Sequence, residues 1–344
     1  MENKIYDNWQ IEDGKDKDVV LSSRIRLARN LNNFKFPNQS SRAEKLELID
    51  YLVDKFIFLT KNDYNYYLMN DLTEQERKLL YEKYLISRAH AYYPDAKALY
   101  LNNNNHISIM INEEDHLRLQ ILNAGLEFHR LWDQINQLDN KIDKHLSYAF
   151  SERWGYLTSC PTNVGTALRA SVMCHLPGLA LSNKIDNILG AVGKFGLTVR
   201  GVNGEGSSSQ GDFFQISNQI TLGNSEEEII EKLESVIKQI INEERKSRKY
   251  LQENKYTKLK DNVQRSLGIL KHAYQIEETE ALKYLSRIKF GQETNLLDER
   301  IPDNLFAEIM FQIRDAHLQI DNKLNENELN IKRAKKIRSI LNRE

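Results

Sequence analysis

The sequence has little cysteine, no long apolar run and almost no net charge, and each lack excludes something. Two cysteines, Cys160 and Cys174, in 344 residues cannot build a disulfide framework. With no secretion signal in view, a reducing cytoplasm is expected. No stretch approaches the roughly 20 apolar residues of a membrane span, so no membrane partner is expected. The opening MENKIYDNWQIEDGKDKD is polar and acidic, unlike a signal or transit peptide. A formal net charge of −1 offers nucleic acid no bulk attraction, so any cationic site must be local. Familiar motifs are missing as well. There is no HExxH, no CxxC and no GxGxxG, and Gly193-Lys194 runs into Phe195, which rules out a Walker A loop.

What remains is a globular composition, 40% apolar and 28% charged, in a chain long enough to expect two domains. Residues 1–18 read as a loosely held arm. Val19 to Leu31 alternates with the period of a strand, which places Ser22, Arg24 and Arg26 on one face and Ile25 and Leu27 on the other. Two unit charges about 4 Å apart repel by roughly 4 kcal/mol at an effective dielectric of about 20. Such a pair is either a solvated face or a surface that waits for a polyanion.

Ala43 to Leu59 has helical spacing, and Thr73 with Glu76 is a capping box for a second helix. Ala98–Leu101 and Ile107–Ile111, joined by asparagines, predict a hairpin. Glu113, Glu114, Asp115 and His116 then pile up at a strand end, a cluster that by itself is most simply solvated. Leu117 to Ile121 alternates again, with Arg118 on the polar face. Phe128 to Leu146 is an amphipathic helix. A strand over Trp154–Ser159 is expected to end at Cys160, because Pro161 lacks an N–H and keeps its predecessor extended. Taken alone, that thiol reads equally as a partly buried structural cysteine.

Helix Ile185–Phe195, a strand carrying Arg200, the loop RGVNGEGSSSQG with Glu205 at its centre, and a strand through Phe214 to Leu222 follow. Ser225 and Glu228 cap a long helix. Helical periodicity then dominates, and a domain boundary is placed near residue 254, giving 19–254 and 255–344. The basic run Lys332–Arg338 is a solvated helix end or a docking site for an acidic partner.

LSSRIRLARNL, NEEDHLRLQ, GYLTSCPTNVGTALRASV and RGVNGEG occur in the order found in the ATP:guanidino phosphotransferases, the phosphagen kinases. This resemblance spans roughly residues 19–250. It implies an α+β catalytic domain of glutamine-synthetase-like architecture, an antiparallel sheet flanked by helices, here followed by an all-helical C-terminal domain. Small-molecule members place a helical domain before the SxRxR strand. Here a short arm precedes Ser22 and the helical mass lies C-terminal, a layout similar to the bacterial branch that phosphorylates arginine side chains of proteins. Met173 stands where animal members usually place a histidine against adenine. An RDxxRA-type phosphoarginine motif is kept only as Arg333-Ala334.

The resemblance implies ATP and Mg²⁺ as cofactors. Ser22, Arg24, Arg26, Arg118, Arg169 and Arg200 would bind the nucleotide, and Glu113 would reach the metal through water. Glu114, Glu205 and Cys160 would hold and deprotonate the acceptor guanidinium. It further implies protein substrates with exposed arginines, a Clp-type unfoldase, a transcriptional repressor and an activator as partners, and a homodimer through the C-terminal helices. A kinase for free arginine or another small guanidino compound, and a non-catalytic phosphoarginine-binding adaptor, are the competing readings.

Overall fold

The computed structural model describes residues 14–61, 63–201, 210–298, 301, 303–320 and 322–342. The chain divides into two compact units, a first holding Ser22–Val172 and Ser217–Glu234, and a second holding Asp16–Leu21, Met173–Ile216 and Ser235–Glu344. No described helix is long and apolar enough to cross a membrane.

The first unit is built on strands β1 (Val20–Arg29), β2 (Tyr64–Leu68), β3 (Ala98–Asn102), β4 (Ile107–Ile111), β5 (Leu117–Ala124) and β8 (Leu168–His175), in the order β2-β3-β4-β5-β1-β8. Neighbours from β2 to β1 are antiparallel. The alternation read in β1 is what the sheet uses: Ile25 and Leu27 are fully buried, while Arg24 and Arg26 are only partly so. Helices α1 (Arg42–Lys55), α2 (Ile57–Thr60), α3 (Glu74–Glu82), α4 (Arg88–Tyr92) and α5 (Phe128–Asp143) complete the unit. Thr73 and Glu76 make the reciprocal capping box of α3. The α5 stripe Phe128, Leu131, Ile135 and Ile142 is buried, at roughly 2 kcal/mol for each large apolar side chain.

Three expected elements are cut short. The helix over 43–59 is interrupted at Phe56, whose ring is pulled fully inside against Tyr100, centroids 5.4 Å apart. The strand over 154–159 survives only as β7 (Gly155–Tyr156), paired with β6 (Phe150–Ser151). Beyond Tyr156 the backbone donors are taken by non-ladder partners: Leu157 N–H by Ala149 O and Ser159 N–H by the Asp115 carboxylate. The strand through Leu222 stops at Asn218 in β10 (Phe213–Asn218), because the Asn218 amide turns back on Leu168 O and Ile220 O.

The second unit holds α6 (Pro177–Leu181), α7 (Ile185–Lys194), β9 (Leu197–Gly201), most of β10 and most of α8 (Glu226–His272), followed by α9 (Glu278–Glu293), α10 (Asp303–Gln312), α11 (Asp315–Leu318) and α12 (Glu326–Leu341). Non-helical geometry at Lys255 breaks α8. Its core includes Leu270, Leu282, Leu285, Ile309, Ile337 and Ile340, with Met173 packed against it. Glu244, fully buried, accepts from the N–H groups of Gly178 and Leu179 at the start of α6 and from Arg248 Nε.

Candidate active site

The antiparallel register decides which side chains share a face. Arg26 lies opposite Gln120, Ala28 opposite Arg118, and Arg24 opposite Leu122, so Arg24, Arg26 and Arg118 stand on the same side of the sheet as Ser22. Arg24 Nε donates to Ser171 Oγ at 3.4 Å, which brings β8 and its Arg169 to that side. The charges feel one another. Burial, then the nearby charges of Arg24, Arg118 and Arg169, pushes the Arg26 guanidinium well below its ordinary pKa. Burial and the charge of Arg118 bring Arg24 down to about 10. Arg26 Nε is buried with no hydrogen-bond partner among the described residues. A buried unsatisfied donor is costly, as are crowded cations, so the Arg26 guanidinium costs stability where it stands.

Carboxylates border it. Glu113, almost wholly buried, accepts from Arg118 Nη2 at 2.8 Å and from Glu114 N–H at 2.7 Å. Burial raises its pKa, but the Arg118 charge and these hydrogen bonds outweigh that and leave it below the ordinary value. Glu114 is more exposed and meets Arg118 Nη2 only at 3.3 Å. Burial and the negative charges of Asp115 and Glu113 raise its pKa in spite of Arg118 and Arg169. Two adjacent carboxylates thus sit in different environments, one nearly buried in a close ion pair and the other more exposed with its pKa raised.

Cys160 opens a single 3₁₀ turn, Pro161–Asn163, and is partly exposed, whereas Cys174 is buried. Its Sγ lies 3.0 Å from Thr162 Oγ1. Its carbonyl accepts from Thr158 Oγ1 at 2.7 Å and from Asn163 N–H at 3.0 Å. Arg169 is steadied by Nε–H to Asn163 Oδ1 and by Nη1–H to Asn218 O. Between them Gly165, at φ +111°, passes so close to the Thr221 carbonyl that any Cβ would collide with it.

Of the sequence-expected residues, Ser22, Arg24, Arg26, Glu113, Glu114, Arg118, Cys160 and Arg169 belong to the first unit. Arg200 is on β9 in the second unit. Glu205 and most of its loop lie outside the described residues, as do residues 1–13 of the expected arm. The supports of these residues lie outside the expected set. Asp115 Oδ1 accepts from Asn30 Nδ2 and from Ser159 N–H, both at 2.6 Å. His116 accepts from Leu31 N–H and donates to Lys35 O, so its ring is neutral scaffold. Asn163 and Asn218 brace Arg169. Only the Thr162-Asn163 step and the NEEDH cluster signalled any of this.

A family profile described as "ATP:guanido phosphotransferase, C-terminal catalytic domain" matches residues 48–247. The chain belongs to the ATP:guanido phosphotransferase family. A second profile, "Protein-arginine kinase McsB C-terminal domain", matches residues 256–344. This phosphotransferase is similar to the protein-arginine kinase of Halothermothrix orenii, 48% identical over 99% of this chain and 98% of that one. It is also similar to the protein-arginine kinase of Bacillus cereus (strain AH187), 44% identical over 92% and 90%. Among solved structures it resembles lombricine kinase, with a TM-score of 0.60 and 29% identity over 67% of this chain and 68% of that one. The duplicated taurocyamine kinase of Schistosoma mansoni gives 0.58 and 25%, over 75% and 39%. Antiparallel sheet, flanking helices and helical C-terminal region therefore agree with the family. Arg333, the remnant of the RDxxRA-type motif, is buried in the second unit and donates to Ile313 O, Ile276 O and Asp315 Oδ1.

Proposed function

We propose that the chain is a protein arginine kinase, transferring the γ-phosphate of ATP to the guanidino group of arginine side chains in proteins. One observation carries the reading: the partnerless buried Nε of Arg26 amid three other guanidinium groups, a face whose repulsion a polyphosphate would relieve. The names of the relatives and the profile over 256–344 support arginine as the acceptor. The ends of the two matched regions, 247 and 256, support a junction near residue 254 between a catalytic domain (19–254) and a helical domain (255–344).

Phosphoryl transfer needs alignment and charge neutralisation more than covalent help. Arg24, Arg26, Arg118 and Arg169, joined by Ser22 and Arg200, grip the ATP phosphates. Glu114 and Glu205 hold the acceptor guanidinium, with Cys160 as a further contact. One guanidinium nitrogen attacks the γ-phosphorus, a P–N bond forms as the bond to the β-bridging oxygen breaks, the nitrogen's proton passes to a carboxylate, and ADP leaves. Glu114, with its raised pKa, suits proton acceptance better than the ion-paired Glu113. Among the described residues no group of three or more His, Cys, Asp or Glu forms a metal cage. Glu113 would reach Mg²⁺ through water, which suits a hard cation that keeps much of its hydration shell. When bound, that ion neutralises charge on the phosphates.

By the same resemblance the cytoplasmic enzyme acts in a stress response. It marks proteins for a Clp-type unfoldase, modifies a transcriptional repressor, answers to an activator protein, and pairs through its C-terminal helices. The deciding experiment incubates the protein with ATP and either an arginine-rich protein or free arginine, then scores phosphoarginine by mass spectrometry under non-acidic conditions. Phosphoarginine in the protein is expected. Product from free arginine alone would favour the small-guanidine reading, and none from either would favour the adaptor.

A further inference from the structure

The turn between β4 and β5 does more than present Glu113 and Glu114. Its next residue, Asp115, is 1% exposed, and its Oδ1 grips two groups far away in sequence. One is Asn30 Nδ2 at the end of β1; the other is the backbone N–H of Ser159, 44 residues on, immediately before Cys160. Asn30 adds two more ties, donating from Nδ2 to Leu157 O at 3.1 Å and accepting at Oδ1 from His116 N–H at 2.9 Å. The segment 157–159 has left the β-ladder by this point, so these side chains replace the ladder as its anchor. Downstream, the Cys160 carbonyl is held by Thr158 Oγ1 and Asn163 N–H. The thiol thus stands on a main chain fixed from both sides, with the upstream fixture supplied by the residue next to Glu114.

We propose that Asp115 is a positioning residue, whose buried carboxylate ties the acidic turn to the Cys160 segment and so holds Glu114 and Cys160 in register for one acceptor. The inference rests on reading Cys160 and Glu114 as the acceptor side of the site. Asp115 Oδ2 is buried with no hydrogen-bond partner among the described residues, an arrangement that by itself costs stability. Asparagine keeps the Oδ1 acceptor in the same shape. Alanine keeps neither acceptor nor shape.

The molecule carries its own control for misfolding. Cys160 is partly exposed and Cys174 is fully buried, so alkylation of native protein by iodoacetamide reads the first thiol, and labelling of the second reports unfolding. In Asp115→Ala, Cys160 should be alkylated at a rate changed severalfold or more while Cys174 stays protected. The turnover number should fall about 100-fold, as expected for a group displaced by about 1 Å. KM for ATP should change far less than the turnover number, because Arg24, Arg26 and Arg118 stand on strands whose places are fixed by the β1–β5 ladder itself. Asp115→Asn should recover the wild-type alkylation rate and most of the turnover. The proposal is overturned if Asp115→Ala alkylates Cys160 at the wild-type rate, if its defect comes with labelling of Cys174, or if Asp115→Asn is no better than alanine. Because alkylation needs no substrate, a wrong acceptor assignment would appear as altered labelling with turnover unchanged, a different result from each of these.

Discussion

The guanidinium of Arg26 stands against burial and three like charges, with no hydrogen bond to its Nε among the described residues. Its energetics should therefore change sign when ligand arrives. Arg26→Met, which keeps the stem and drops the charge, should leave the free protein at least as stable by thermal unfolding. ATP affinity in the same variant should fall by about 10–100-fold in calorimetry, the worth of charged hydrogen bonds of roughly 1.5–3 kcal/mol. Unchanged affinity would remove Arg26 from the nucleotide site. Arg26→Lys should recover only part of the loss, since a point charge lacks the guanidinium fork. His90 makes a pH prediction. It is fully buried, its Nε2–H donates to Ala98 O, and burial holds its pKa down at about 4. The native state thus keeps it neutral while the unfolded chain protonates near 6.5. Its contribution is fully present above about pH 6.5 and drains away as pH falls towards 4, a loss of about 3 kcal/mol. His90→Gln should flatten that part of the stability–pH curve, and an equally steep curve would contradict the assignment.

Helix ends followed local rules, and strand and helix interiors answered to distant partners. The Thr73–Glu76 box was legible because both partners are three residues apart and satisfy each other. Nothing within 43–59 announced the break at Phe56, because its cause is an aromatic contact with Tyr100 on β3. The β6–β7 hairpin has a similar distant anchor. Arg29, 1% exposed, donates from Nε and Nη2 to Asp139 Oδ2 and lies 3.5 Å under the Tyr156 ring, while Tyr148 OH donates to Asp139 Oδ1. Asp139→Ala would strand a buried guanidinium. The expected loss is about 3–5 kcal/mol in denaturant unfolding, and a loss well under 1 kcal/mol would show the hairpin to be held otherwise.

For the whole molecule, a ligand that binds only the folded state raises stability by mass action, about 2.7 kcal/mol at one hundred times its dissociation constant. At that concentration ATP should accordingly raise the unfolding temperature of the wild type, and that of Arg26→Met by about half as much or less. An equal shift in both would place the nucleotide elsewhere. The sequence by itself determined which side of each strand a residue takes, since side chains alternate along extended backbone whatever lies beside it. That put Arg24 and Arg26 together, and the order of motifs pointed to the family. Tertiary structure alone decided that Arg118, from a strand almost a hundred residues on, shares their face, because period two says nothing about register between strands. It also decided that Asp115, one more acid in a run of three, turns inward to hold Ser159 while Glu114 stays at the surface. Within a turn the backbone has no period to extrapolate, and a buried carboxylate goes where unpaired N–H groups from elsewhere in the chain are waiting.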